Sequence, residues 1–347
     1  MFERSSGMIR AVLLPLLFAT SPILSQSLPG WPAEVSLIQV TSSLDHTPQP
    51  SLTWSPADDE TRPLLVGLHT WSGDYTQATN GATYARWCME RGWHFVFPNF
   101  RGANQTPAAL GSDLAVQDIV DAVEHLKKTK HIDASRIYLI GVSGGGHMAM
   151  LMAGRHPEIW AGVSAWCGIG DVAAWHAEHL KDGKPDRYAQ NIEAALGGPP
   201  SGSKERFADA QKRSPRTWLT AAGGVPLDIC HGIHDGRNGS VAFRHSLFAY
   251  NLAASAKLDP AGIAAYYDMQ QRPAGWPEPE ADALYGSKPV RFRATSGNTR
   301  VTIFEGGHEI LYAPGLNWLA QQQKGRPAMW KVEKPLPVPA GDTKSGL

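Results

Sequence analysis

One serine in this sequence lies in a setting that can make a hydroxyl group reactive. Ser143 stands in Gly141-Val142-Ser143-Gly144-Gly145, directly behind the apolar residues 137–140. This order predicts a buried strand for the apolar run, a sharp turn at the glycines and a buried helix for the apolar residues 148–153. Such a turn lifts the hydroxyl above the sheet at a helix N-terminus, where a developing oxyanion is stabilised. Ser143 is therefore the candidate nucleophile; the alternative is a glycine-rich turn with an idle serine.

A serine nucleophile needs a histidine base, and the histidine needs an acid that orients it. His308 follows two glycines and is the one histidine of thirteen that lies after the last predicted strand. Asp235 follows the apolar residues 227–230 and precedes a helix that is predicted from Val241, which makes it the preferred acid. Asp171, one strand earlier, is the alternative acid, although it also suits the N-cap of a helix.

An acyl-transfer site also needs two donors for the oxyanion. One should be the amide of Gly144, the residue after the candidate nucleophile. The other should come from the loop His69-Thr70-Trp71-Ser72-Gly73, which follows the first parallel strand. We expect it to be the amide of Trp71.

We expect the remaining histidines to have supporting roles rather than catalytic ones. His147, His231 and His234 are near the site in sequence, but none has the position of a base, and we expect them to pack or to support the site. His176/His179 and His231/His234 are spaced as i,i+3 pairs, yet no His-Glu-x-x-His spacing occurs. We expect no metal and no organic cofactor.

Strands and helices alternate along most of the chain, which predicts an α/β fold with a mainly parallel sheet and helices on both faces. Residues 36–40 and 51–54 predict an antiparallel hairpin at one sheet edge. Residues 171–224 interrupt the alternation and predict a cap over the site. Residues 258–298 form a second insertion. For both insertions the alternative is a solvated loop that packs on the domain.

The sequence at each end of the chain predicts a segment outside the folded domain. Residues 1–27 combine arginines, an apolar stretch too short for a membrane span and small residues at 25–27, which is typical of a signal peptide. We therefore expect a secreted or periplasmic protein without stable membrane anchoring. The hydrolase-like domain would cover 28–330, and the proline-rich residues 331–347 predict a disordered tail.

Charge and cysteine content limit the possible partners. Lys+Arg and Asp+Glu both number 32, and no basic stripe is present, so we expect no nucleic-acid partner. The three cysteines, Cys88, Cys167 and Cys230, predict no disulfide framework. One bridge between Cys167 and Cys230 remains open.

Taken together, five motifs resemble the catalytic domain of the prolyl oligopeptidase family and its stand-alone esterase relatives. They are His69-x-x-x-Gly73, Pro98-Asn99-Phe100-Arg101-Gly102, Gly141-Val142-Ser143-Gly144-Gly145, His231-Gly232-x-x-Asp235 and Gly306-Gly307-His308. The resemblance covers about residues 60–325 and implies an α/β-hydrolase fold with a Ser143–Asp235–His308 triad.

The sequence also departs from the family pattern. The family's peptidases carry an N-terminal β-propeller, but only about thirty residues separate the predicted signal from the first parallel strand. Asp235 and His308 are further apart in sequence than is usual in the family, and Thr70 stands where glycine is common. We therefore expect these departures to affect peptidase specificity and to leave the triad intact.

Three functions follow as hypotheses. The first is a serine hydrolase that cleaves carboxylic esters, with acylated carbohydrate as a substrate class because Trp166 and Trp175 lead to the site and aromatic faces suit sugar rings. For these tryptophans the alternative is packing of the cap against the sheet. The second function is a serine peptidase acting on short peptides, for which Glu178 is the available amine-binding group. The third is a non-catalytic binding protein.

Overall fold

The computed structural model describes residues 1–2 and 28–339, so nearly all of the predicted signal peptide lies outside the described residues. The chain forms a nine-stranded sheet in the order β1-β2-β4-β3-β5-β6-β9-β11-β10 and a small two-stranded ribbon of β7 and β8. The strands are β1 (Ser36–Thr41), β2 (Pro48–Trp54), β3 (Arg62–Leu68), β4 (His94–Pro98), β5 (Ile132–Val142), β6 (Gly162–Trp166), β7 (Leu180–Lys181), β8 (Lys184–Pro185), β9 (Leu227–Gly232), β10 (Val290–Ser296) and β11 (Thr299–Phe304).

Six central strands, from β4 to β11, are parallel, and each outer pair is antiparallel. The predicted mainly parallel sheet and the predicted edge hairpin of β1 and β2 are therefore confirmed. The central strands are buried on both faces, as their runs of branched apolar residues require.

Helices cover both faces of the sheet. They are α1 (Ala78–Arg91), α2 (Asp113–Thr129), α3 (Gly144–Arg155), α4 (Val172–Glu178), α5 (Arg187–Leu196), α6 (Lys204–Lys212), α7 (Arg244–Ala253), α8 (Pro260–Met269) and α9 (Tyr312–Leu319). One face packs against α2, α3 and α7, and the other packs against α1 and α9. Among the described residues, no helix is long and apolar enough to cross a bilayer.

The parallel strands end at the same edge of the sheet, which is where ligands bind in α/β folds. The loops after β3, β5, β6, β9 and β11 therefore meet there. They carry residues 69–73, Ser143, residues 167–171, Asp235 and His308 respectively.

Three parts of the structure differ from the expectations. The second insertion contains α8 and the strand β10, which pairs antiparallel with β11 at the sheet edge. The helix after Asp235 begins at Arg244 rather than near Val241. The described part of the expected disordered tail lies against the body: the side chain of Asn317 donates to the carbonyl of Leu336 at 3.1 Å and accepts from its amide at 2.5 Å.

Candidate active site

Ser143 occupies a strained turn between β5 and α3. Its backbone has φ 60° and ψ −121°, a region that non-glycine residues rarely adopt. The amide of Ser143 donates to the carbonyl of Trp166 at 2.9 Å, which ties the turn to the neighbouring strand β6. The glycines on either side are required by space, because a Cβ on Gly141 would lie 2.4 Å from the carbonyl oxygen of Gly145. The structure thus has the sharp strand-to-helix turn that the sequence predicted.

Asp235 and His308 lie together, although they come from different loops. Nδ1 of His308 donates to Oδ2 of Asp235 across 2.6 Å. Since Nδ1 faces a carboxylate, it carries the ring proton of the neutral imidazole and leaves Nε2 free as a base. The Asp235 side chain is completely buried, whereas that of His308 is 11% exposed. A buried acid that orients a partly accessible histidine is the arrangement that nucleophilic catalysis needs.

The carboxylate of Asp235 is held at both oxygens. Oδ1 accepts from the amides of Gly236 at 2.9 Å and Val241 at 3.1 Å. Oδ2 accepts from His308 and also from Nε2 of His231 at 2.9 Å. Burial disfavours the charged carboxylate, but the two histidine donors outweigh it and hold the pKa of Asp235 well below its usual value. Asp235 is therefore ionised throughout the neutral pH range.

The two expected oxyanion donors lie next to each other. A Cβ on Gly144 would lie 2.5 Å from the backbone nitrogen of Trp71. Gly144 opens α3, so its amide has no acceptor within the helix. In the described part of the chain, the amide of Trp71 likewise has no hydrogen-bond acceptor. Two close amides without an acceptor thus lie beside Ser143, an arrangement that can donate to an oxyanion.

Polar side chains hold the loop that carries Trp71. The amide group of Gln77 accepts from the Thr70 amide at 2.8 Å and donates to the Thr70 hydroxyl at 2.8 Å. The amide of Asn104 donates to the carbonyl of Trp71 at 2.9 Å. His69 is fully buried and stacks on Phe100 with ring centroids 3.7 Å apart. These contacts fix the direction of the Trp71 amide before any substrate binds.

The cap segment, residues 171–224, packs on the loops that carry Trp71 and Asp235. Trp175 of α4 meets Trp71 edge to face with ring centroids 4.6 Å apart. The carbonyl of Ser240 accepts from Nε1 of Trp175 at 2.8 Å and lies 2.8 Å from Nε2 of His179. Ser240 belongs to the loop that follows Asp235, so the cap connects the oxyanion loop to the acid loop.

Asp171, the alternative acid, has a structural role. Its side chain accepts from the amides of Ala173 and Ala174 and caps α4, and it pairs with Arg216. The N-cap alternative therefore describes Asp171, and Asp235 is the acid that contacts His308.

Trp166 and Trp175 are almost completely buried, with 0% and 1% of their surfaces exposed. Nε1 of Trp166 donates to the hydroxyl of Ser164 at 2.8 Å. Neither ring offers an open face to a sugar in this structure. Packing of cap against sheet, the alternative from the sequence, describes both side chains, and their expected substrate role has no structural support.

The three cysteines are buried and unbridged. Sγ of Cys167 lies 3.3 Å from the carbonyl of Glu309, so this thiol supports the loop of His308. Ligand atoms of Cys167, His231 and Asp235 fall within 4.8 Å of one another. Within this group, His231 and Asp235 are hydrogen-bonded to each other, and Cys167 contacts the Glu309 carbonyl.

Several contributing residues were not identified from sequence. Gly239 leaves the space for Asp235 and His308, Gln77 holds the oxyanion loop, and His179 joins cap and acid loop. His231, by contrast, was expected to pack or to support the site, and it contacts Asp235. The other three lie in loops whose mutual contacts depend on the tertiary fold.

Part of the chain is similar to known proteins. A model of the prolyl oligopeptidase family matches residues 82–252. Feruloyl esterase B of Thermothelomyces thermophilus is 24% identical over 51% of this chain and 60% of its own length. Feruloyl esterase B of Neurospora crassa is 30% identical over 34% of this chain and 43% of its own length. The chain thus spans about half the length of these curated relatives.

Among solved structures, a Mycobacterium tuberculosis puromycin-hydrolyzing peptidase superposes with a TM-score of 0.56 and 13% identity, over 88% of this chain and 42% of that one. This likeness concerns the fold. The fold is that of the α/β-hydrolases. Within that class, residues 82–252 are similar to the prolyl oligopeptidase family.

Proposed function

We propose that this protein is a serine hydrolase that cleaves carboxylic esters through an acyl-enzyme. The observation that carries the proposal is the buried Asp235 carboxylate oriented on His308, at the same sheet edge as the strained Ser143. The similarity to proteins named feruloyl esterase supports an ester rather than a peptide bond as the target.

In the proposed mechanism, Nε2 of His308 removes the Ser143 proton as the oxygen attacks the ester carbonyl. The amides of Gly144 and Trp71 donate to the oxyanion. Asp235 stabilises the imidazolium that forms, and His308 then gives its proton to the departing alcohol. Water, deprotonated by the same histidine, hydrolyses the acyl-enzyme and releases the acid.

The substrate class that we propose is an acylated carbohydrate, with the feruloyl group as the acyl group to test first. The support is the names of the relatives, since the two predicted aromatic contacts are buried. We further propose one hydrolase domain over residues 28–330 with the cap segment inserted in it, and export directed by residues 1–27. N-terminal sequencing of the mature protein would test the export; a cytosolic protein that retains Met1 contradicts it.

A serine peptidase is the second candidate, favoured by the family match. Glu178, the group expected to bind a peptide amine, is already engaged: Arg244 donates to it at 2.6 Å and His245 contacts it at 3.1 Å. These hydrogen bonds hold the pKa of Glu178 at about 2 against the effect of burial. An amine would have to displace two existing partners, which weighs against an aminopeptidase.

The test compares turnover of methyl ferulate, p-nitrophenyl acetate and aminoacyl p-nitroanilides by the wild type and by Ser143→Ala. We expect ester turnover to exceed anilide turnover and to fall at least about 10⁴-fold in Ser143→Ala. Ser201→Ala, on the exposed surface of the cap segment, is the matched control. Full ester turnover by Ser143→Ala would overturn the mechanism, and dominant anilide turnover would favour the peptidase.

A further inference from the structure

A single carboxylate oxygen of Asp235 contacts two histidines. Oδ2 lies 2.6 Å from Nδ1 of His308 and 2.9 Å from Nε2 of His231. The His231 ring is completely buried, and the mechanism proposed above assigns it no step. A buried polar ring held this close to the acid affects how strongly that acid acts on its other partner.

The surroundings of His231 define its tautomer. Nε2 faces two acceptors, Oδ2 of Asp235 and the carbonyl of Val241 at 3.0 Å, so this nitrogen carries the proton. Nδ1 lies 2.7 Å from Oγ of Ser246 on α7, and a neutral ring accepts the hydroxyl proton there. Burial lowers the pKa of His231, which agrees with a neutral ring. The result is a continuous chain of donors from Ser246 through His231 to Asp235.

We propose that His231 is a positioning residue that sets the basicity of His308 by donating to the shared oxygen of Asp235. The proposal rests on the proposed Ser143–Asp235–His308 mechanism. A second donor withdraws charge from Oδ2, so Asp235 stabilises the His308 imidazolium less than an otherwise unpaired carboxylate would. The same donor keeps the carboxylate plane fixed while His308 gains and loses its proton.

The experiment measures kcat and kcat/KM for p-nitrophenyl acetate from pH 5 to 9 in the full-length protein. In His231→Leu the donor is lost, and we expect kcat to fall about tenfold or more with little change in KM. The acidic limb of the kcat/KM profile should move to higher pH, because the unshared carboxylate stabilises the imidazolium more strongly. His231→Gln places an amide donor near Nε2 and should restore most of kcat and the original limb.

Ser246→Ala provides a second variant that leaves His231 in place. Losing the hydroxyl that faces Nδ1 weakens the Nε2 donor, so the acidic limb should move in the same direction by a smaller amount. His131→Leu is the matched control, since this exposed histidine directly precedes β5, at the end of that strand opposite Ser143. Its profile should equal that of the wild type.

The outcomes separate the two proposals. If His231→Leu and Ser246→Ala fold and retain the wild-type pH profile, the role of His231 is wrong, whatever the fate of the mechanism. If Ser143→Ala and His308→Gln both keep full turnover, the mechanism itself is wrong. A drop in kcat without any movement of the acidic limb, and without rescue by His231→Gln, would reduce His231 to a packing residue.

Discussion

Nδ1 of His308 and Oδ2 of Asp235 are 2.6 Å apart although 73 residues separate them in the chain. The loops that carry them approach so closely that only a residue without a side chain fits beside the pair. A Cβ on Gly239 would lie 2.2 Å from Oδ1 of Asp235 and 3.0 Å from Cβ of His308. Gly239 therefore maintains the space in which acid and base meet.

Gly239→Ala should separate Asp235 from His308. Because a displacement of about 1 Å can cost about 100-fold in rate, we expect kcat/KM to fall by about that factor while the protein remains folded. Steady-state kinetics and circular dichroism measure the two effects. Gly224→Ala is the control, since nothing lies within 4 Å of the Cβ it would add. Equal activity of the two variants would contradict the prediction, because it would show that the loop accommodates the added methyl group without moving Asp235 from His308.

His179→Leu should loosen the acid loop from the cap. Both ring nitrogens of His179 face acceptors, Asp186 at 2.7 Å and the Ser240 carbonyl at 2.8 Å, and the variant loses both contacts. We expect faster amide hydrogen exchange over residues 236–241 and a roughly tenfold lower kcat/KM. His156→Leu, which removes a surface contact with Glu158, is the control. Unchanged exchange in this segment would contradict the connection between cap and acid loop.

His147 should make the protein less stable in acid. It is fully buried on α3, and burial lowers its pKa to about 4, against 6.5 for an exposed ring. As the pH falls, the unfolded state therefore binds a proton at His147 before the folded state does. The stability that the neutral ring contributes is complete above about pH 6.5 and is lost as the pH falls toward 4. By linkage, the free energy of unfolding should drop by about 2 kcal/mol from this group between pH 7 and pH 5.

Urea unfolding at several pH values measures this effect. His147→Asn retains a donor for the carbonyl of Ile169, which accepts from Nδ1 at 3.0 Å, but does not titrate. The pH dependence of its unfolding free energy should be shallower than that of the wild type by the same amount. Parallel curves for the two proteins would mean that His147 is not the group responsible.

Arg300 and Asp228 should stabilise the sheet beneath the site. Nε of Arg300 lies 2.8 Å from Oδ1 of Asp228, the two residues are register partners on β11 and β9, and both are buried. Removing one partner leaves a buried unpaired charge, so Arg300→Ala should cost about 3 kcal/mol or more in denaturant unfolding. Arg291→Ala breaks the exposed pair with Glu305 and should cost about 1 kcal/mol or less.

Much of the fold followed from local patterns. The apolar runs and their alternation predicted the parallel strands and the edge hairpin, because a strand buried on both faces leaves a clear composition. The strand β10 was missed because it was treated as part of the second insertion, although its apolar and polar residues alternate over 290–295 as a half-buried strand requires.

The candidate site was likewise predicted only in part. Ser143, Asp235 and His308 were predicted because each follows a strand, and strand ends meet at one edge of a parallel sheet. The aromatic substrate contacts expected at Trp166 and Trp175 have no support in the structure, because both side chains are buried. Whether Trp175 faces a ligand or a neighbouring tryptophan depends on how the cap docks, and in the structure it meets Trp71. Sequence spacing carries no information about such docking.

The contact between Trp71 and Trp175 ties the position of α4 to that of the loop that carries Trp71. Lifting α4 as a unit would break this contact and withdraw the side chains of Trp175 and His179 from the Ser240 carbonyl. A movement of the cap segment that admitted a substrate would therefore also release the loops that carry Trp71 and Asp235. Under the proposed mechanism such an open state would be inactive, so substrate entry and chemistry would alternate.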